Sequence, residues 1–504
     1  MGKSNVFDQL YRSSFSSSSS LFRTSPTSAA TACQAWPGPQ VSGSEQLSYE
    51  RCQGRINLTA IGDPHVLGDP EWCLPAASRL NQYQSSPGRN WSEVRWGQSQ
   101  RRCATREHKL SPLENDIRRI WRLPADSEEV TAALEGNKGS VAIVLRAWDN
   151  YEYTERSLSW LRTLIAEVSL QHRGRYQVFF LVNVKDPDIR LEEDDVAYEQ
   201  AMLESVPEEF RDMAILFNER TLKAWYPLVK EHRVQHQMYQ ALQIFSRKFQ
   251  QFDHIWQLEM DLRFTSHVHD TLESAATFAR AQSRRNLWER NGRFYIPRLH
   301  NTYKNFTAAV DAEMGDWGVW GPMKPHSRAM RDWGVGEDAD LISFMPMIDP
   351  VGTNWIYENN INGFADGAET PRRVAIVSIT RSSRRLLHLI DEAQRERGQW
   401  LVSEATLETF ALLHGLKAVT VPQPIYFTQE IGAEELDAEV NKGPLYSKAG
   451  GEMPSMLYSK KGWLPGSWWK ASYWFTGNGA QDIWKAYVDG QSFPPMLLHP
   501  VKET

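Results

Sequence analysis

From Ser140 onward the chain alternates two kinds of segment, and this alternation limits the fold more than any other feature. SVAIVLRAW (140–148) is a β-branched apolar run behind Gly139. Such a run suits a strand buried on both faces. Next, Leu158, Leu161, Leu164, Ile165 and Val168 recur at helical spacing, and Thr154 stands where a helix N-cap belongs. YQVFFLVNV (176–184) is a second buried run, so the three segments form a βαβ unit with parallel strands. The pattern continues with a short strand at 214–218, a long helix over about 228–249, a strand over 254–264 and a helix near 270–286. RRVAIVSIT (372–380) reads as a strand, 381–394 as its helix, ATLETFALLHGL up to Gly415 as another helix, and 417–427 as the closing strand. The expected fold class is α/β: a mostly parallel Rossmann-like sheet flanked by helices, of the glycosyltransferase A-like type, with irregular N- and C-terminal extensions.

The parts outside this alternation divide the chain. Residues 1–45 are Ser/Thr-rich and are expected to be a disordered tail, because they bury too little apolar area to offset chain entropy. Residues 46–139 form an irregular lead-in, docked on the core by Trp91, Val94 and Trp96. Residues 140–430 form the catalytic α/β domain, and 431–504 a Trp/Tyr-rich C-terminal extension. The formal charge of −6 disfavours a general nucleic-acid coat, so any such contact must be a local patch. No apolar run is long enough to span a membrane, and no apolar signal core opens the chain, so the expectation is a cytoplasmic protein. Cys33, Cys52, Cys73 and Cys103 lack CxxC spacing, which argues against zinc and, in a cytoplasmic chain, for reduced thiols. The sequons at Asn57, Asn90 and Asn305 are then inert.

The segment that promises chemistry is Leu258-Glu259-Met260-Asp261-Leu262. Ligands of open α/β sheets bind beyond the carboxyl ends of strands, and residues two apart on a strand share a face. Glu259 and Asp261 therefore face a site together, where they could hold a divalent metal, act as acid and base, or grip a guanidinium. A solvated strand end is the plain alternative. Trp333-Gly-Val-Gly-Glu337-Asp338 is a second acidic loop, and on the functional reading Glu337 or Asp338 is a general base facing Asp261 across the cleft. Trp317, Trp320, Trp333 and Trp355 could wall a pocket, although such aromatics are commonly core. Arg146, beside Trp148 and Asp149, is a candidate for binding phosphate or carboxylate. Arg372, Arg373, Arg381, Arg384 and Arg385 form a basic group, the last two in the first turns of a helix, where phosphate binds readily or the charges are simply solvated. His232 and His236 read as a plain helix face. GxSxG, Walker and GxGxxG motifs are absent.

The phrases VAIVLRAWDNYEYT, WQLEMDLRFTSH, WGVGEDADLISFMPMIDPVGTNW and ATLETFALLHGLKAVTVPQPIYF resemble a fungal family long filed as a domain of unknown function, glycosyltransferase-like in fold. Many members look membrane-anchored, and this chain is more similar to a subset without an anchor, the arginine-containing cyclodipeptide synthases. The resemblance implies a transferase of secondary metabolism that joins the aminoacyl groups of Arg-tRNA and a second aminoacyl-tRNA into a cyclic dipeptide. It implies no cofactor, no membrane and no protein partner. Under it Glu259, Asp261, Glu337 and Asp338 supply base and guanidinium clamp; Arg146, Trp148, Asp149, Trp333 and Trp355 line the substrate; Arg381, Arg384 and Arg385 hold the tRNA end. The alternative is a nucleotide-sugar glycosyltransferase, in which Glu259 and Asp261 are a variant Asp-x-Asp clasp for Mn²⁺ or Mg²⁺.

Overall fold

In the computed structural model the described residues are 33, 49–52, 60–86, 90–108, 117–122, 140–315, 332–353, 355–441, 470–475 and 479–502. Apart from Cys33, the Ser-rich tail lies outside them, as do Asn57, Trp317 and Trp320. Seven strands form the central sheet: β1 (Ser140–Trp148), β2 (Tyr176–Asn183), β3 (Ala214–Phe217), β4 (Phe252–Glu259), β5 (Leu341–Ser343), β6 (Ile379–Ser383) and β7 (Ala418–Thr420), in the order β7-β5-β6-β4-β1-β2-β3. All neighbours are parallel except β6, which runs against both β4 and β5. The mostly parallel α/β sheet follows from the apolar runs. In β2 every residue from Tyr176 to Val182 is buried, which requires helices on both faces.

The helices that position the site are α1 (Trp96–His108), α2 (Glu155–Val168), α3 (Gln240–Lys248), α4 (Val268–Ala281), α5 (Arg384–Arg397), α6 (Ser403–Leu413) and α7 (Gly479–Val488). α2 starts where the sequence indicates, with the Thr154 side chain accepting from Ser157 N. Of its apolar stripe, Leu161, Leu164, Ile165 and Val168 are buried and Leu158 is half-buried against the core.

Several expectations shift. The helix expected from 228 begins only at Gln240, because the preceding backbone is tied elsewhere. Met238 N donates to Ser403 Oγ, and the Gln237 side chain donates to Leu401 O. The helix expected to reach residue 286 ends at Ala281, where Gln282 turns extended. The strand expected over 372–380 starts only at Ile379, since Val374 bridges Ile348 and Ala375 N is bound to Glu404 O. The closing strand is cut to Ala418–Thr420, and Ile425–Tyr426 pairs instead with Ala60–Ile61.

Neither extension is irregular throughout. The lead-in carries α1, and Trp91, Val94 and Trp96 are buried, with Trp91 and Trp96 stacked 6.0 Å apart. The cysteines are not reduced: Cys33 pairs with Cys103 and Cys52 with Cys73. Sequence spacing tests metal motifs but not contacts made by folding, and here chain segments 70 and 21 residues apart meet. Disulfides persist in oxidising compartments. The pairing and the expectation of a cytoplasmic protein therefore pull in opposite directions. Among the described residues no helix is long and apolar enough to cross a membrane.

Candidate functional site

β4 ends at Glu259, and the next three residues form a turn rather than further strand. Leu262 N closes onto Glu259 O at 3.2 Å. Arg263, buried between Trp160 and Trp484, donates to Met260 O and Leu262 O at 2.7 and 2.9 Å and clamps the turn. Glu259 and Asp261 therefore come together through a turn, not through strand alternation. After the turn, Arg263–Phe264 pairs antiparallel with Leu497–Leu498, and Val501 N donates to Asp261 O. That pairing carries His499 onto the two carboxylates.

His499 Nε2 lies 2.9 Å from Glu259 Oε2 and 3.4 Å from Asp261 Oδ1. Its Nδ1 is 2.7 Å from Trp474 O and donates to it, while Nε2 donates to the carboxylates in the imidazolium form. Burial disfavours the His499 imidazolium, but its hydrogen bonds to Asp261 and Glu259 outweigh this and raise it to about 10. Burial likewise works to raise Asp261, yet His499 holds that carboxyl below its ordinary value. Donor atoms of Glu259, Asp261 and His499 all lie within 4.8 Å of one another. Two carboxylates and an imidazole in that space match the donor set of a Mn²⁺, Mg²⁺ or Zn²⁺ site.

Arg146 is the register partner of Glu259 across β1 and β4, so the two side chains share a sheet face and form an ion pair. Trp148 and Asp149 lie at the same carboxyl end of the sheet. Trp148 is 36% exposed and meets the Tyr151 ring edge-on. Asp149 Oδ2 accepts from Lys185 N, while its Oδ1 is buried without a hydrogen bond. A cleft of about 620 Å³ opens beside the three-residue cluster, lined by Arg146, Met238, Ser378, Glu404, Phe475 and Lys502 among others. Glu404, in the first turn of α6, has one carboxylate oxygen buried without a hydrogen bond, and burial raises its pKa.

The other candidate residues lie elsewhere. Glu337 pairs with Arg284 at 2.8 Å, and Asp338 with Arg280 at 2.6 Å. The loop leads into β5, and Ser383 N donates to Asp340 O while Ser383 is the register partner of His254. His254 begins the part of β4 paired with β6, five residues before Glu259, or about 17 Å along a strand. Glu337 and Asp338 therefore do not face Asp261, because β5, into which their loop leads, runs in the same direction as β4 and starts at the opposite end of the sheet. Trp333 stays in that loop, over Arg284. Trp355 is buried against Tyr357, whose hydroxyl meets His236.

Arg381 is in β6 rather than in the helix, 5% exposed, donating to Ala339 O and lying over Trp256. As a buried residue it offers no surface to tRNA. Arg384 and Arg385 do open α5 and line a separate cleft of about 480 Å³ with Arg247 and His388, at the start of β4, where Arg384 meets Asp253. Arg372 is buried and donates to Glu358 O and Ala368 O.

The sequence reading missed His499 and Glu404. Nothing local marks His499, since its pairing closes over more than two hundred residues. Glu404 carries a faint signal, as a carboxylate in the first turn of a helix whose other residues, Glu408 apart, are uncharged.

Residues 73–503 match the family described as "Protein of unknown function (DUF3405)", and the chain belongs to it. Neither a curated protein nor a solved structure matches the chain.

Proposed function

We propose that this member of the DUF3405 family is a metal-dependent transferase of glycosyltransferase A type, acting on a diphosphate-activated donor such as a nucleotide sugar. The supporting observation is the convergence of Glu259, Asp261 and His499 at the carboxyl end of β4, beside the cleft. A divalent ion held there would neutralise the diphosphate and favour its departure. Arg146 and Lys502 add positive charge on the same wall. Asp149 Oδ1, buried and unpartnered, is a ready acceptor for a donor's N–H or O–H. Glu404 is the candidate acid–base group, because its raised pKa brings it toward the working range of a proton acceptor. Two disulfides suit a reaction in an oxidising compartment.

Calorimetry of uridine and guanosine diphosphates with the full chain tests the reading. Binding is expected with Mn²⁺ and is expected to vanish with EDTA and in Asp261→Asn. Binding unchanged by EDTA would remove the metal from the account.

A second reading has its own support. The acidic cleft, with Glu404 bearing an unpartnered oxygen, suits a guanidinium, as the Arg146–Glu259 pair illustrates. RNase-sensitive formation of an arginine-containing cyclic dipeptide from charged tRNAs would favour the cyclodipeptide synthase. In that case Glu404, not Glu337 or Asp338, is the proposed base.

A further inference from the structure

A second cluster of metal-ligating side chains stands away from the cleft. His172 closes the short turn after α2, four residues before β2 begins. His267 is the N-cap residue of α4, and His269 and Asp270 lie in its first turn. Donor atoms of His172, His269 and Asp270 lie within 4.8 Å of one another. His269 Nδ1 is 3.3 Å from Asp270 Oδ1, and His267 Nδ1 is 3.6 Å from Asp270 Oδ2. Donors around a tetrahedral zinc ion, each about 2.1 Å from it, stand about 3.4 Å apart.

The His267 ring is an independent pointer to a ligand. It is 4% exposed, its Nε2 is held by Gln171, and its Nδ1 makes no hydrogen bond. A buried ring nitrogen left without a hydrogen bond and aimed at a carboxylate is a costly arrangement unless a cation completes it. His172 and His269 stack face to face with centroids 3.3 Å apart. Their lone pairs lie in nearly parallel planes in that arrangement, so coordination of one ion by both requires the rings to splay.

We infer that His172, His269 and Asp270, with His267 as a further donor, bind a borderline transition-metal ion of the zinc class. Imidazole-rich donor sets select such ions over Mg²⁺ or Mn²⁺. The ion ties the turn between α2 and β2 to the start of α4. This is a structural role, separate from the site at Glu259.

Co²⁺ titrated into the metal-free full-length chain, followed by its visible d–d absorption, tests the assignment. A band of four- or five-coordinate cobalt is expected, displaced by Zn²⁺ and retained in Asp261→Asn, the background in which the further changes are read. His172→Gln with His269→Gln should weaken binding at least tenfold. Asp270→Asn, which keeps a polar residue at the helix start, should weaken it as well and serves if the double variant fails to fold. The absence of a band, a band that survives both sets of changes, or one lost with Asp261→Asn alone overturns the site.

Discussion

The two ends of β4 carry similar acidic groups in opposite circumstances. At the amino end, Glu337 and Asp338 each have an arginine of their own, and both carboxylates are about half exposed. At the carboxyl end, Glu259 and Asp261 share His499, each side chain is less than a quarter exposed, and a third carboxyl, Glu404, lines the same cleft. One-to-one pairing in solvent neutralises charge and leaves little to do. Half-buried carboxylates that converge on one imidazole instead place several donor atoms where a single cation can gather them. Counting acidic residues in a sequence cannot tell these cases apart, whereas countercharge and burial can.

Four outcomes sharpen or break this contrast. The largest effect is expected from Glu259→Gln with Asp261→Asn, which should cut turnover by about a thousandfold, as expected for loss of a metal's charge stabilisation. Steady-state assays with the donor that calorimetry selects would show it. Next, Glu404→Gln should lower kcat about a hundredfold with little change in donor affinity, measured as separate kcat and KM values. Third, a proton on His499 competes with the metal. Its folded pKa lies near 10, so apparent Mn²⁺ affinity should rise with pH below that value, by up to about tenfold per unit. The same shift has a stability sign. A histidine raised above its unfolded value near 6.5 stabilises the metal-free fold below that pH and loses the contribution as pH rises through about 10. Metal-free Tm should fall over that window, and His499→Gln should flatten the fall. The smallest effect belongs to Glu337→Gln with Asp338→Asn: stability within about 1 kcal/mol by denaturant melts, and unchanged turnover. A large loss of turnover there would erase the distinction between the two ends.

Much of the scaffold was legible because burial on both faces writes long β-branched runs, as in 140–148 and 176–184. Glu259 and Asp261 stood out because charge abruptly ends such a run. Where backbone partners are side chains of distant segments, periodicity misleads. Residues 228–239 carry a helical pattern, yet Ser403 holds the Met238 backbone and Leu401 the Gln237 side chain in another arrangement. A few residues of strand displacement moved Arg381 from an exposed helix start into the sheet. His499 was illegible for a different reason. It acquires its role only when Leu497–Leu498 pairs with Arg263–Phe264, a contact between parts of the chain that share no local pattern.

Pulsed electron paramagnetic resonance of Mn²⁺ bound to the full chain addresses the metal triad most directly. One imidazole nitrogen should couple to the Mn²⁺ electron spin, and the coupling should disappear in His499→Gln and persist in His269→Gln. Coupling that survives His499→Gln, or no Mn²⁺ binding by the wild-type chain, would contradict the triad at the carboxyl end of β4.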